Sequence, residues 1–105
     1  MINKKIYIID YGMGNIHSVY NALASLNCEA IVTNKKEELN DGDAFILPGV
    51  GAFSKAIDNL YKLDLIEEIK KQVLSKKKNI LGICLGMQLF ASSSEEGGFN
   101  EGLCL

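Results

Sequence analysis

Four short apolar runs, each four or five residues long and each followed closely by turn residues, constrain the fold of this chain more than any other feature. They are Ile6-Tyr7-Ile8-Ile9, Glu29-Ala30-Ile31-Val32-Thr33, Ala44-Phe45-Ile46-Leu47 and Asn79-Ile80-Leu81-Gly82-Ile83. Consecutive apolar residues, rather than strict alternation with polar ones, mark strands buried on both faces. Such strands need helices above and below them, and the intervening segments carry helical patterns. Ile16, Val19, Tyr20, Leu23 and Leu26 fall on one helix face, with Asn15 placed as the N-cap. Phe53, Ala56, Ile57, Leu60 and Tyr61 repeat the pattern for a helix that starts just past Gly51. Asp64 with Glu67 suggests a capping box for a further helix whose stripe is Ile66, Ile69 and Val73. A last helix is expected from Leu85 to about Ser92. The order β-α-β-β-α-α-β-α predicts an α/β fold: a doubly wound, mostly parallel open sheet of the flavodoxin-like kind, with residues 1–105 forming one unit.

Composition removes several functional classes. A formal net charge of −2, with no basic stripe interleaved with aromatics, gives no reason to expect a nucleic-acid partner. The Lys76-Lys77-Lys78 run suits a solvated helix end, where cations favour the dipole. The apolar runs are too short to span a bilayer, and the N-terminus has neither the apolar region nor the cleavage site of a signal peptide. The three cysteines, Cys28, Cys84 and Cys104, lie far apart, without metal-ligand spacing. Their odd number argues against a disulfide framework. The expectation is a cytoplasmic protein with no metal, no cofactor and no membrane association.

In open sheets of this kind, function sits at the carboxyl ends of the strands. Three glycine-bearing turns fall there: Gly12-Met13-Gly14, Pro48-Gly49-Val50-Gly51 and Gly82-Ile83-Cys84-Leu85-Gly86. The last has the form of a nucleophile elbow with cysteine as the attacking group. A sharp strand-to-helix turn would hold Cys84 in a strained conformation above the sheet, its flanking glycines removing side chains that would clash. Helix N-terminal amides would favour the thiolate, and the Leu85 N–H would point toward a developing oxyanion. A lone cysteine is most often a buried small hydrophobe; the strand before it, the helix after it and the two glycines reverse that reading here. Pro48-Gly49-Val50-Gly51 would supply the second oxyanion donor from the neighbouring strand.

Gly82-Ile83-Cys84-Leu85-Gly86-Met87-Gln88 resembles the active-site signature of the class I glutamine amidotransferases. Together with Asp10-Tyr11-Gly12-Met13-Gly14-Asn15 and Leu47-Pro48-Gly49-Val50-Gly51-Ala52-Phe53, it is similar to the glutaminase branch that serves imidazole glycerol phosphate synthase. The likeness runs from about Ile6 to Leu105. It implies that Cys84 attacks the side-chain amide of glutamine, forming a glutamyl thioester. It implies that Val50, Gly51 and Leu85 form the oxyanion hole, and that Gly49, Gly51 and Gln88 help hold the substrate. It also implies that ammonia passes to a (β/α)8-barrel cyclase partner in histidine biosynthesis.

The same resemblance calls for a histidine base and an acid well after the nucleophile. The sequence has one histidine, His17, early in the first helix, where a surface position is expected. The 105 residues therefore read as the N-terminal half of an amidotransferase domain, with the activating pair absent and turnover of glutamine poor. A sheet cut at this point would leave an unpaired edge and an uncovered apolar face, so a swapped or oligomeric assembly or a non-native terminus is expected. Gly102-Leu103-Cys104-Leu105 resembles the start of another strand, with Cys104 packed in it. Ammonia release by the isolated chain and its sedimentation behaviour report on these two expectations. Three other readings stand beside this one. They are an incomplete fragment acting as a binding or assembly module, a paralogous amidotransferase serving another synthase such as one aminating a surface sugar, and a flavodoxin-like ligand-binding domain.

Overall fold

The computed structural model of the chain describes residues 5–91, 93–94 and 100–105. Four strands, β1 (Lys5–Ile9), β2 (Glu29–Thr33), β3 (Ala44–Leu47) and β4 (Asn79–Gly82), form one sheet in the order β2-β1-β3-β4. Every pairing in it is parallel, with Ile8 opposite both Val32 and Ile46, and Leu47 opposite Gly82. The architecture is α/β, and its strand order is the flavodoxin-like one up to the fourth strand. The chain reverses its direction of travel across the sheet between β1 and β3, so the topological switch point lies where those two strands end.

Strand residues alternate between two layers, as the period of two requires. Tyr7, Ile9, Phe45 and Leu47 are buried in the main core with Leu39, Phe53, Ala56, Leu60, Leu65, Ile69, Leu85 and Leu89. Those partners come from α2 (Lys36–Leu39), α3 (Phe53–Lys62), α4 (Ile66–Lys70) and α5 (Leu85–Gln88), and from the turns beside them. Ile8 and Ile46 turn to the other face, which α1 (Ile16–Ser25) covers in part. α1 buries no residue fully: Ile16, Val19 and Leu23 are half-buried, while Tyr20 and Leu26 are exposed. Beside it Val19, Leu23, Ile46, Leu81 and Ile83 line an apolar groove, with Leu81 58% exposed. β4 pairs with β3 alone among the described residues.

The remaining departures have local causes. α2 is a single four-residue turn without apolar periodicity of its own, anchored by the buried Leu39. Asn15 is the N-cap of α1, its Oδ1 accepting from Ser18 N–H at 3.3 Å. The expected capping box at Asp64 does not form. Asp64 takes a left-handed φ of 59°, its carboxylate pairs with Lys36, and Leu65 caps α4 without a side-chain bond. α4 continues as a π-helical turn, Lys71–Ser75, where the wider backbone accommodates the fully buried Gln72. Its Nε2 donates to Glu68 Oε2 at 2.6 Å. α5 ends at Gln88, followed by a turn through Ala91; the expected end at Ser92 lies outside the described residues. β5 (Ser93–Ser94) and β6 (Asn100–Glu101) form a separate antiparallel pair. Residues 102–105 extend no strand; Leu103 and Leu105 instead donate backbone bonds to Leu89 and Phe90, both at 2.8 Å. Cys104, at φ 56°, is exposed rather than packed.

The amino ends of the strands, opposite the glycine turns, carry a small polar cluster. Lys5 Nζ and the Tyr7 hydroxyl both donate to Asp41 Oδ2 at 3.0 Å. Those two bonds, then the Lys5 charge, hold the Asp41 carboxyl below its ordinary value of 3.8. A folded-state pKa that is depressed gives stability present above the unfolded value and lost as pH falls through the folded one. Asp41→Asn is therefore expected to lower stability in urea titrations at pH 7, with the gap to wild type closing by about pH 2. Equal loss at both pH values would show that the carboxylate charge contributes nothing.

Candidate active site at the ends of β3 and β4

The β3–β4 ladder continues one residue past β4, with Ile83 N–H donating to Leu47 O, the last residue of β3, at 3.0 Å. The backbone then turns sharply. Cys84 has φ 55° and ψ −118°, and Gly86 N–H closes the turn on Ile83 O at 3.0 Å. Those dihedrals belong to the first central position of a type II′ turn, a place normally held by glycine. A cysteine there is strained by about 1–3 kcal/mol. Its side chain is exposed, not sunk among the buried residues. Met87 and Gln88 N–H then donate to Cys84 O at 3.0 and 3.3 Å, so the helix starts directly from the turn.

Close backbone packing enforces this geometry. A Cβ on Gly86 would stand 1.7 Å from the Leu47 carbonyl oxygen, and one on Gly82 would stand 2.6 Å from the main chain of Met87. Both glycines are thus steric requirements of bringing α5 against the end of β3. Gly49 is bound in the same way: a Cβ there would meet Tyr11 Oη at 2.4 Å and Gly86 N at 2.9 Å.

The residues singled out from sequence gather on one edge. Cys84, Leu85 and Gln88 lie on the β4–α5 turn and α5, and Gly49, Val50 and Gly51 follow β3. The two groups touch directly, since Leu85 N–H donates to Gly49 O at 3.1 Å. Val50 N–H donates to Met13 O at 3.2 Å. Of the three residues named for the oxyanion hole, Leu85 and Val50 therefore have their amides engaged by main-chain carbonyls. The next two amides of the elbow, Gly86 and Met87, are engaged as well, so the first turn of α5 offers the sulfur no spare donor. Gly51, at φ 112°, is exposed, as are Val50, Gln88 and Met87. His17 is exposed on α1.

Sequence reasoning missed Tyr11. Its hydroxyl is buried and donates to Pro48 O at 2.5 Å, while its own carbonyl accepts from Asn59 Nδ2 at 3.0 Å. Burial holds the Tyr11 phenol well above the ordinary tyrosine range, so it stays protonated and donating. The one hint in the sequence is a bulky aromatic set between a strand end and Gly12. A cavity of about 410 Å³ lies at the ends of β1 and β2, lined by Asp10, Gly12, Asn34, Asn59 and Lys62 among others, and Cys84 is not part of its lining. Among the described residues no cluster of histidine, cysteine and carboxylate side chains could hold a metal, and no helix is long and apolar enough to cross a membrane.

An exposed cysteine at a strained strand-to-helix turn of a parallel sheet has the geometry of a nucleophile elbow. The family model described as Glutamine amidotransferase class-I matches residues 7–98, and the chain belongs to that family. It is 54% identical over 96 residues to the imidazole glycerol phosphate synthase subunit HisH of Prochlorococcus marinus, covering 91% of this chain and 46% of that protein. It is 49% identical over 100 residues to the HisH subunit of Bacillus subtilis, covering 95% and 47% of the two chains. The chain thus spans about half the length of the curated relatives it matches. A crystal structure of a glutamine amidotransferase superposes with a TM-score of 0.71 at 24% identity, over 83% of this chain and 45% of that one, a likeness of fold.

Strain at Cys84 and packing at Gly86 predict opposite effects on stability. Cys84→Gly is expected to raise it by about 1 kcal/mol, as the strained backbone relaxes. Gly86→Ala is expected to lower it by about 3 kcal/mol or more, as α5 is forced off Leu47. Denaturant melts of the two variants measure both, and a neutral Gly86→Ala would refute the packing described.

Proposed function

We propose that this chain supplies the nucleophile and oxyanion-binding half of the glutaminase in an imidazole glycerol phosphate synthase. The observation that carries this reading is the conformation of Cys84. A cysteine sulfur is displayed at the end of β4 at a cost in backbone strain, and two glycines make that display sterically possible. Nothing in core packing calls for such a residue.

In the reaction, Cys84 Sγ adds to the carboxamide carbon of glutamine, giving a tetrahedral oxyanion. Collapse of that intermediate expels ammonia, with a proton delivered to the leaving nitrogen, and leaves a glutamyl thioester. Water then cleaves the thioester to glutamate and regenerates the thiol. The oxyanion needs amide donors, and Leu85 N–H with a main-chain N–H from the Val50-Gly51 turn are the ones at hand. For Leu85 to serve, it must exchange its bond to Gly49 O for one to the substrate oxygen. Turning the Gly49–Val50 peptide does this, and it releases Val50 N–H from Met13 O in the same movement. Gln88 and the main chain at Gly49 and Gly51 line the approach for the substrate. The histidine base and its acid belong to a further segment in this reading, since His17 faces solvent on α1.

The relatives' description as synthase subunits supports passage of the ammonia to a cyclase partner of the (β/α)8-barrel type, in histidine biosynthesis. The exposed Val50 and Met87 lie on the edge that such a partner would face.

Glutamine occupancy gives the test. Alkylation of Cys84 by iodoacetamide, followed by peptide mass spectrometry, is expected to slow progressively as L-glutamine is added, while Cys28 and Cys104 react at unchanged rates. A rate at Cys84 indifferent to glutamine would remove the substrate from this proposal.

A further inference from the structure

The Asp10–Asn15 turn contributes no group to the reaction proposed above, yet it reaches across the switch point and grips the Pro48–Gly51 turn twice. Tyr11 Oη donates to Pro48 O at 2.5 Å, and Met13 O accepts from Val50 N–H at 3.2 Å. In an open sheet this crevice between β1 and β3 is the usual ligand site. Here it is closed by these bonds, and the exposed nucleophile stands one strand further along, at the end of β4.

We propose that Tyr11 is a positioning residue for the oxyanion hole: its buried hydroxyl fixes the Pro48 carbonyl, the anchored end of the turn on which the Gly49–Val50 peptide swings to free the Leu85 amide. The proposal rests on the glutaminase reading of Cys84. Packing alone does not explain a tyrosine at this position. The side chain is 2% exposed, and phenylalanine would fill the same space without burying a hydroxyl that must find a partner. The hydroxyl spends its proton on the first carbonyl of the turn that carries the donors. Gly49 follows immediately, stripped of a side chain at the point where a Cβ would strike Tyr11 Oη. The tyrosine main chain is in turn fixed from α3, through Asn59 Nδ2. The path from α3 to Leu85 is thus an unbroken set of contacts: Asn59, Tyr11, Pro48, Gly49, Leu85.

Two reagents separate positioning from mere support. Iodoacetamide requires an accessible thiol. The diazoketone 6-diazo-5-oxo-L-norleucine also requires a glutamine pocket and an oxyanion hole for its ketone oxygen; the cysteine thiol then displaces dinitrogen and forms a thioether. Both rates are measured at Cys84 in the full chain. Tyr11→Phe is expected to lower the diazoketone rate about tenfold, leaving the iodoacetamide rate within about twofold. Equal rates to wild type with both reagents would overturn the proposal, and so would a parallel fall with both, which is the mark of a structural role. Should Tyr11→Phe be too unstable to assay, Asn59→Ala keeps the hydroxyl but frees the Tyr11 main chain, and a fall in the same ratio of about threefold is expected; an unchanged ratio would overturn the proposal. A wild-type Cys84 that reacts with iodoacetamide but never with the diazoketone would instead defeat the glutaminase reading, and this proposal with it.

Discussion

The contact between Gly86 and the Leu47 carbonyl sets the limit within which everything else at this edge is arranged. A helix cannot begin immediately after β4 and lie across the end of β3 unless its second residue has no side chain, because a methyl group would stand 1.7 Å from that oxygen. With the contact made, a tight turn connects strand and helix, and it is one whose first central residue takes a positive φ. Cys84 occupies that position. The strain is local and sits on an exposed residue, while its supports are buried: Leu85, Leu89 and Leu47 all belong to the main core. Stability elsewhere in the sheet is thereby spent on displaying one sulfur.

The second organising constraint is the pairing of the turns that follow β1 and β3. Where the winding of a parallel sheet reverses, the connections leaving the two adjacent strands run to opposite faces, and the crevice so formed usually admits a ligand. In this molecule Tyr11 and Met13 bond to Pro48 and Val50 across it. The Pro48–Gly51 turn is therefore held from both sides, by the first turn through Tyr11 and by the elbow through Leu85. The engaged Leu85 amide follows directly from this arrangement, which sets the Gly49 carbonyl 3.1 Å from it.

Much of this was legible from the residues alone, for identifiable reasons. β2 and β3 run over the residues that their β-branched and aromatic content marked, because Asn40-Asp41-Gly42-Asp43 and Pro48 fix the ends of β3. The elbow was legible because glycine at both flanks of a cysteine, after an apolar strand, has few other uses. What failed to read was non-periodic or non-local. α2 is too short to show a repeat. Asp64 looks like a cap three residues before Glu67, but Lys36, 28 residues earlier, takes its carboxylate. α5 looked longer because Leu89 and Phe90 continue the apolar pattern, whereas both instead accept backbone bonds from Leu103 and Leu105. Tyr11 and Pro48 are 37 residues apart, and no local pattern announces a bond between them.

The account stands or falls on the sulfur of Cys84 being presented at the head of the sheet with amide donors beside it. A crystal structure of the chain after reaction with a glutamine-like diazoketone tests this directly. The account predicts a thioether at Cys84 Sγ, the positive φ retained, and the ketone oxygen about 2.7–3.1 Å from the Leu85 amide in place of Gly49 O. An adduct whose oxygen has no main-chain donor, or a Cys84 whose backbone has relaxed and carried its sulfur into the core, would contradict it.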